Sequence, residues 1–349
     1  MIKLTKRIKM GLVFGLIGAA AVQVRGWDYA GHRAVNLAAL ATLPPEFPDF
    51  VKTPAARERI GFLAGEPDRW RNIGDDQSLN HCNGPDHYLD LEELERFGLT
   101  PATLPVFRYD FAQKIGAERA RFPERFPPVD PLKNKDHTRE LIGFAPWTIT
   151  EYQGRLRSAF SYLKAFQDYG GTPGEIAQAQ ENIIYLMALQ GHYVGDCAQP
   201  LHVTKHHHGW VGDNPRGFTT NRSFHSWIDG GFLKQTGPVQ VALLAERIRP
   251  AELVGNPFVE GDTFRAVMAY LLATEKFVAP LYQLEKEGKL SPDNPAAQEG
   301  RAFLETQLAR GGEMLRNLWY SAWRQTTEDG YLIRQLQERH QAAKAGDQK

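Results

Sequence analysis

His192 and Asp196 stand four residues apart in the stretch G-H-Y-V-G-D-C-A-Q-P-L-H, Gly191 to His202. In a helix that spacing puts both side chains on one face. Pro200 ends or bends such a helix, and His202 follows directly. An imidazole and a carboxylate on one turn, with a second imidazole past the break, is ligand chemistry for a divalent metal, zinc foremost. A polar pair at a helix end is the alternative. His225 and Asp229, in S-F-H-S-W-I-D, repeat the spacing. Two pairs plus His202 are five nitrogen or oxygen donors, more than one four-coordinate zinc takes from protein when a position must stay open for water. The spacing therefore suggests several metals.

Helices must position these groups. Ile176, Ile183, Ile184, Leu186, Met187 and Leu189 mark a buried helix ahead of His192, opened by Thr172 as N-cap, Pro173 in the first turn and Glu175 closing a capping box. Helical periodicity recurs at 31–42, 54–66, 105–121, 149–168, 174–196, 223–234, 239–247, 263–286 and 295–325, with a frayed helix at 330–343. Strand alternation does not recur. Long loops are expected at 72–90, 122–147 and 203–222, and in the last the run His206-His207-His208 reads as flexible and exposed. The expectation is an all-α chain, a single multi-helix domain over 27–343, with metals held between helices and a flexible tail at 344–349.

Residues 1–26 read as an export signal: Lys3, Lys6, Arg7 and Lys9, then the apolar run Gly11–Val22, then Val24 and Gly26 before a cut. The run is shorter than the ~20 residues a bilayer span needs, so no membrane span is expected after its removal. A secreted or periplasmic protein follows. Removing the five basic residues of 1–26 from 41 leaves 36 against 41 acidic, a net charge of −5. That excludes a global basic field for long duplexes. Cys82 and Cys197 in an exported chain are expected to form one disulfide, with a thiolate ligand pair as the alternative. W-D-Y-A-G-H puts His32 five residues after Trp27, which the expected cut leaves at the N-terminus. A free α-amino group (unperturbed pKa ~8) and its own carbonyl can chelate one metal, and a core Trp beside a surface His is the competing reading.

Taken in order, Trp27, His32, Asp68, H-Y-L-D from His87, H-x-x-x-D with Q-P-L-H, and H-x-x-x-D again resemble the trinuclear-zinc superfamily that joins the zinc-dependent phospholipases C with the single-strand-specific nucleases of the S-one/P-one type. The resemblance spans residues 27 to about 229. It implies three Zn2+ per chain. One would use Asp68, His87, His192 and one oxygen of Asp196. A second would use the amino nitrogen and carbonyl of Trp27, His32 and the other Asp196 oxygen. The third would use His202, His225 and Asp229. Asp75 and Asp76 are rivals to Asp68.

The resemblance also implies chemistry. Water between two zincs would be acidified from 15.7 to ~7 and attack phosphorus, with Asp68 orienting it and Arg71 steadying charge on the phosphoryl oxygens. A surface arginine is the plainer reading of Arg71. Tyr88 stands where the nucleases place an aromatic that stacks on an unpaired base, and Asp90 where they place a carboxylate for the base edge. Core packing and a helix cap are the competing readings. The implied function is an exported endonuclease that cuts single-stranded DNA and RNA to 5′-nucleotides, with no stable protein partner. The alternatives are a phospholipase C acting on phospholipid head groups and a non-catalytic zinc-binding protein.

Overall fold

The computed structural model describes residues 27–71, 73 and 76–346. The export segment expected at 1–26, Asp75 and residues 347–349 lie outside them. No strand occurs among the described residues, and the chain is all-α. No helix among them is long and apolar enough to cross a membrane.

The helices start where local chemistry satisfies their first free N–H groups. Helix α1 (Tyr29–Ala41) is capped by Asp28, whose Oδ1 accepts from Ala30 N and Gly31 N. Helix α2 (Pro54–Leu63) is capped by Thr53 with proline in its first turn. Short α3 (Glu66–Arg71) and α4 (Gln77–Asn83) follow, then α5 (Arg108–Arg121) and the long α6 (Ala145–Asp168). Helix α7 (Pro173–Asp196) has the expected capping box: Glu175 N donates to Thr172 Oγ1 at 3.2 Å, and Thr172 N to Glu175 Oε2 at 2.7 Å. A helical run then passes through α8 (Phe224–Ser226), one wide π turn (Trp227–Gly231) and α9 (Phe232–Thr236). Helices α10 (Val241–Ala245), α11 (Asp262–Glu275), α12 (Val278–Lys286), α13 (Ala297–Arg324) and α14 (Gly330–Gly346) complete the fold.

Helix α7 runs through the core between α6, α1, α2 and α13. Buried amides tie these helices together: Gln153 on α6 donates to Leu318 O of α13 at 2.9 Å and accepts from Gln190 of α7 at 2.9 Å. Asn36 on α1 donates to Ala188 O of α7 at 3.0 Å and to Ile60 O of α2 at 3.2 Å. Gly191 makes this close approach possible, since a Cβ there would stand 1.9 Å from Asn36 Oδ1.

Beyond shifts of a few residues at helix ends, four features differ from the sequence expectation. The span 54–66 divides into α2 and α3, and the expected loop 72–90 contains α4, whose N-cap Asp76 accepts from Leu79 N at 2.9 Å. The expected 263–286 helix is two helices, because Pro280 has no N–H for the carbonyl four residues back. Helix α14 runs on to Gly346, past the tail boundary expected at 344, through the strong helix formers Ala342, Ala343 and Lys344.

Candidate metal centre

Six segments deliver the candidate ligands to one place. His32 lies on α1, Asp68 on α3, and His87 ends a 3-10 turn, Gly84–His87. His192 and Asp196 occupy the last turn of α7. His202 ends the next 3-10 turn, Pro200–His202, while His225 and Asp229 flank the start of the π turn. Small residues let them meet. A Cβ on Gly195 would stand 3.1 Å from His32 Nδ1, and one on Gly230 would stand 2.2 Å from Asp28 Oδ2. Asp28 N donates to Asp229 O at 2.9 Å, so the chain start is tied to the last ligand pair.

Three buried groups could each hold a metal ion: His32 with His192 and Asp196; Asp68 with His87 and His192; and His202 with His225 and Asp229. Asp196 divides its two oxygens. Oδ2 lies 2.8 Å from His87 Nδ1 and 3.3 Å from His192 Nε2, while Oδ1 lies 3.4 Å from His32 Nε2. His225 Nε2 lies 3.3 Å from Asp229 Oδ2 and 3.0 Å from His202 Nε2. Two ligands ~2.0–2.1 Å from one tetrahedral ion stand about 3.3–3.4 Å apart, so most of these separations are compatible with zinc.

The outer contacts select which atoms remain for a metal. His192 Nδ1 faces Ala64 O at 2.7 Å and His202 Nδ1 faces His87 O at 2.8 Å. A ring nitrogen facing a carbonyl carries the proton, which leaves both Nε2 lone pairs directed into the cluster. Both ring nitrogens of His32, His87 Nε2, Asp196 Oδ1, His225 Nδ1 and Asp229 Oδ2 are buried without a hydrogen-bond partner. Buried polar groups are rarely left so, and cations in these groups would satisfy the atoms that face them, His32 Nε2 with Asp196 Oδ1 in one and Asp229 Oδ2 in another.

Electrostatics point the same way for four of the five imidazoles. Burial, then His192, lowers His32 to about 3. Burial, then the Arg71 charge, lowers His87 to about 4. Burial lowers His202 and takes His225 well below its ordinary value. These imidazoles are neutral, as ligands must be. Burial opposes the charge on His192, but Asp196 and Asp68 outweigh it and raise that group. Burial likewise opposes ionisation of Asp68 and Asp196, yet Arg71 and the histidines hold Asp68 low and the histidines hold Asp196 low. Burial drives Asp229 well above the carboxylate range.

The other expected residues fall around this cluster. Arg71 is nearly buried, with Nη2 2.6 Å from Asp68 Oδ1, and is not a surface arginine. Trp27 is fully buried, its side chain against Gly31. Of the two rival aspartates, Asp76 is taken up as the α4 cap. Tyr88 and Asp90 are half-buried beyond His87, and His207 lies between them, 3.6 Å from Asp90 Oδ1 and with ring centroids 6.5 Å from Tyr88.

Two expectations are corrected. Cys82 and Cys197 are both free. Cys82 is exposed on α4, whereas Cys197 is buried one residue past Asp196, turned by the helix towards the Tyr270 side and away from the ligand face. The histidine run is not an exposed loop. His206 is buried and stacks on Trp210 at 3.8 Å, and His207 hydrogen-bonds back to Thr204 O.

Gln199 and Glu92 carry positioning roles that spacing alone did not single out. Gln199 Nε2 donates to Asp229 Oδ1 at 2.7 Å, and Leu201 N fixes the amide by donating to Gln199 Oε1 at 2.6 Å. Glu92 accepts from Thr204 Oγ1 and Lys205 N, pinning the chain just after His202. The Q-P-L-H run contained the first signal, because a polar residue before a proline at a helix end has backbone donors to cap. No family model matches the chain, and no curated protein matches it.

Proposed function

We propose that this protein is an exported zinc-dependent phosphodiesterase that cuts single-stranded DNA and RNA to 5′-nucleotides. The observation that carries the reading is the convergence of eight His and Asp side chains into three adjoining metal-holding groups, with an arginine on their edge. A lone structural metal needs neither the number of donors nor the arginine. Zinc fits the donor set, and the free amine and carbonyl of Trp27 would complete the group around His32.

When bound, the ions supply Lewis acidity and an acidified water for attack on phosphorus. The chain supplies the rest. Asp68, held ionised by Arg71, offers carboxylate oxygens at the edge of the cluster to orient that water. Arg71 keeps one nitrogen on Asp68, and its buried Nε–H has no hydrogen-bond partner, so it is available to a phosphoryl oxygen. Tyr88 offers a ring face to an unpaired base, and Asp90 accepts from the base edge with His207 steadying its charge. Stacking on one aromatic contributes ~1–3 kcal/mol per base and needs a single strand.

The test is purified protein with zinc, offered single-stranded DNA, RNA and phosphatidylcholine side by side. Hydrolysis of the nucleic acids with 5′-phosphate products is expected. Cleavage of phosphatidylcholine alone would replace the reading with a phospholipase C, and no turnover of any would leave a metal-binding protein.

A further inference from the structure

Next to Asp90 opens a cleft of about 510 Å³, walled on one side by residues 126–142 and on the other by Lys205 and Arg222. Its charges are unequally engaged. Glu93 is shared by Arg96 at 2.9 Å and Lys205 at 3.7 Å, Lys133 reaches Asp130 at 3.6 Å, and both Glu140 oxygens accept from Asn134. Arg139 and Arg222 line the same cleft, both exposed, and neither has a carboxylate within ion-pair distance among the described residues. The Arg139 Nε–H is spent on Lys133 O at 3.3 Å, which anchors the side chain through one of its three nitrogens. On the floor, half-buried Phe126 packs between Phe97, at 4.9 Å, and the Arg119 guanidinium, at 4.7 Å.

The cleft joins the metal centre through two side chains. Asp90 forms its near end, His207 touches Asp90, and the His207 and His225 rings lie 6.2 Å apart. Arg222 is three residues before His225, and the charges of Arg139 and Arg222 both reach His208, whose ring is 5.5 Å from His225. A chain of phosphates leaving the metal centre past Tyr88 would therefore meet two unpaired guanidiniums next. Guanidinium is the group best shaped to take phosphate oxygens in pairs.

We propose that Arg139 and Arg222 form a phosphate-binding track, so that the enzyme grips a strand several nucleotides long; this rests on the phosphodiesterase reading above. An overall acidic chain then needs no global basic field, because the contacts are confined to one cleft.

Zinc-loaded protein and an Arg139→Ala/Arg222→Ala double variant are compared by equilibrium binding of a labelled oligothymidylate and a dinucleotide, both made as non-hydrolysable analogues that keep the backbone charge, across a range of salt. Each lost phosphate contact lowers the salt slope for a single strand by ~0.7, so the double variant loses about 1.4. Its affinity for the oligomer falls roughly two- to thirty-fold while dinucleotide binding changes little. The Arg139→Lys/Arg222→Lys pair restores the slope, and zinc content checks that the double variant is folded. Unchanged oligomer affinity and slope in a folded double variant overturns the track, even if hydrolysis is intact. Oligomer binding that depends on both arginines, in a protein that cleaves no phosphodiester, keeps the track and removes the enzyme.

Discussion

Gly191→Ala offers a direct trial of how the core positions the metal centre. In a solvent-facing helix this change stabilises by ~0.4–1 kcal/mol, because alanine restricts the unfolded chain and favours the helix. Here the added methyl would stand 1.9 Å from Asn36 Oδ1, 2.6 Å from Asn36 Cγ and 2.8 Å from Leu315 Cδ2. Neither neighbour can yield easily. Asn36 is fully buried and holds α1 to α7 and α2 through two hydrogen bonds, and Leu315 is fully buried on α13. Overpacking costs about 1–3 kcal/mol, and displacing the amide adds roughly 1–3 kcal/mol for polar groups left unpaired. Subtracting the helix gain of ~1 kcal/mol leaves a net destabilisation of about 1–5 kcal/mol. Since His32 sits one turn before Asn36 on α1, the shift also moves a candidate ligand. Gly116→Ala and Gly154→Ala are the controls, because a Cβ at either meets nothing within 4 Å, and both should stabilise slightly. Urea unfolding followed by circular dichroism reads all three. A Gly191→Ala midpoint equal to or above the wild type would refute the close α1–α7 approach.

Gln199→Leu should weaken the metal held by His202, His225 and Asp229 by about 10–100-fold, because Asp229 loses the donor that orients it; competition with a zinc chelator measures this, and unchanged affinity counts against the role. Arg339, then the Thr172 N–H, lower Glu175 to about 2. A depressed carboxylate contributes stability above its unfolded pKa and loses it as pH falls through the folded one. The melting difference between wild type and Glu175→Gln should therefore be full above about 4.5 and shrink towards pH 2. A difference independent of pH would remove the α7–α14 charge contact from the account. In denaturant both thiols should react with a colorimetric thiol reagent, whereas in native protein Cys82 reacts promptly and Cys197 slowly, since burial raises its thiol well above normal. Absence of free thiol in denaturant would restore the disulfide.

The all-α class and most helix positions were legible because burial imposes a 3.6-residue period, and α7 was legible to its caps, since Thr172, Pro173 and Glu175 act locally. The two His/Asp pairs were legible for the same reason. What joins them was not. That Asp196 would face His32 and His87 depends on α1 and the 84–87 turn meeting the end of α7, contacts between distant segments with no local signature. The order of the motifs, through their resemblance to a superfamily, supplied that grouping. The disulfide expectation failed at the same level. Cys82 and Cys197 flank segments that do approach, but an adjacent residue on a helix points about 100° away, so neighbouring ligands did not imply neighbouring thiols. Likewise three consecutive histidines look like a solvated loop until Trp210, thirteen residues past Cys197, is found stacked on the first of them.

Elemental analysis of the purified protein, run beside an Asp196→Ala variant, tests the metal centre most directly. Asp196 gives one oxygen towards His87 and His192 and the other towards His32, so its removal disturbs two groups together. The expected result is close to three zinc ions per chain in the wild type and a loss of more than one in the variant. One metal or none in the wild type, or a loss of a single ion in the variant, would contradict the bridged centre.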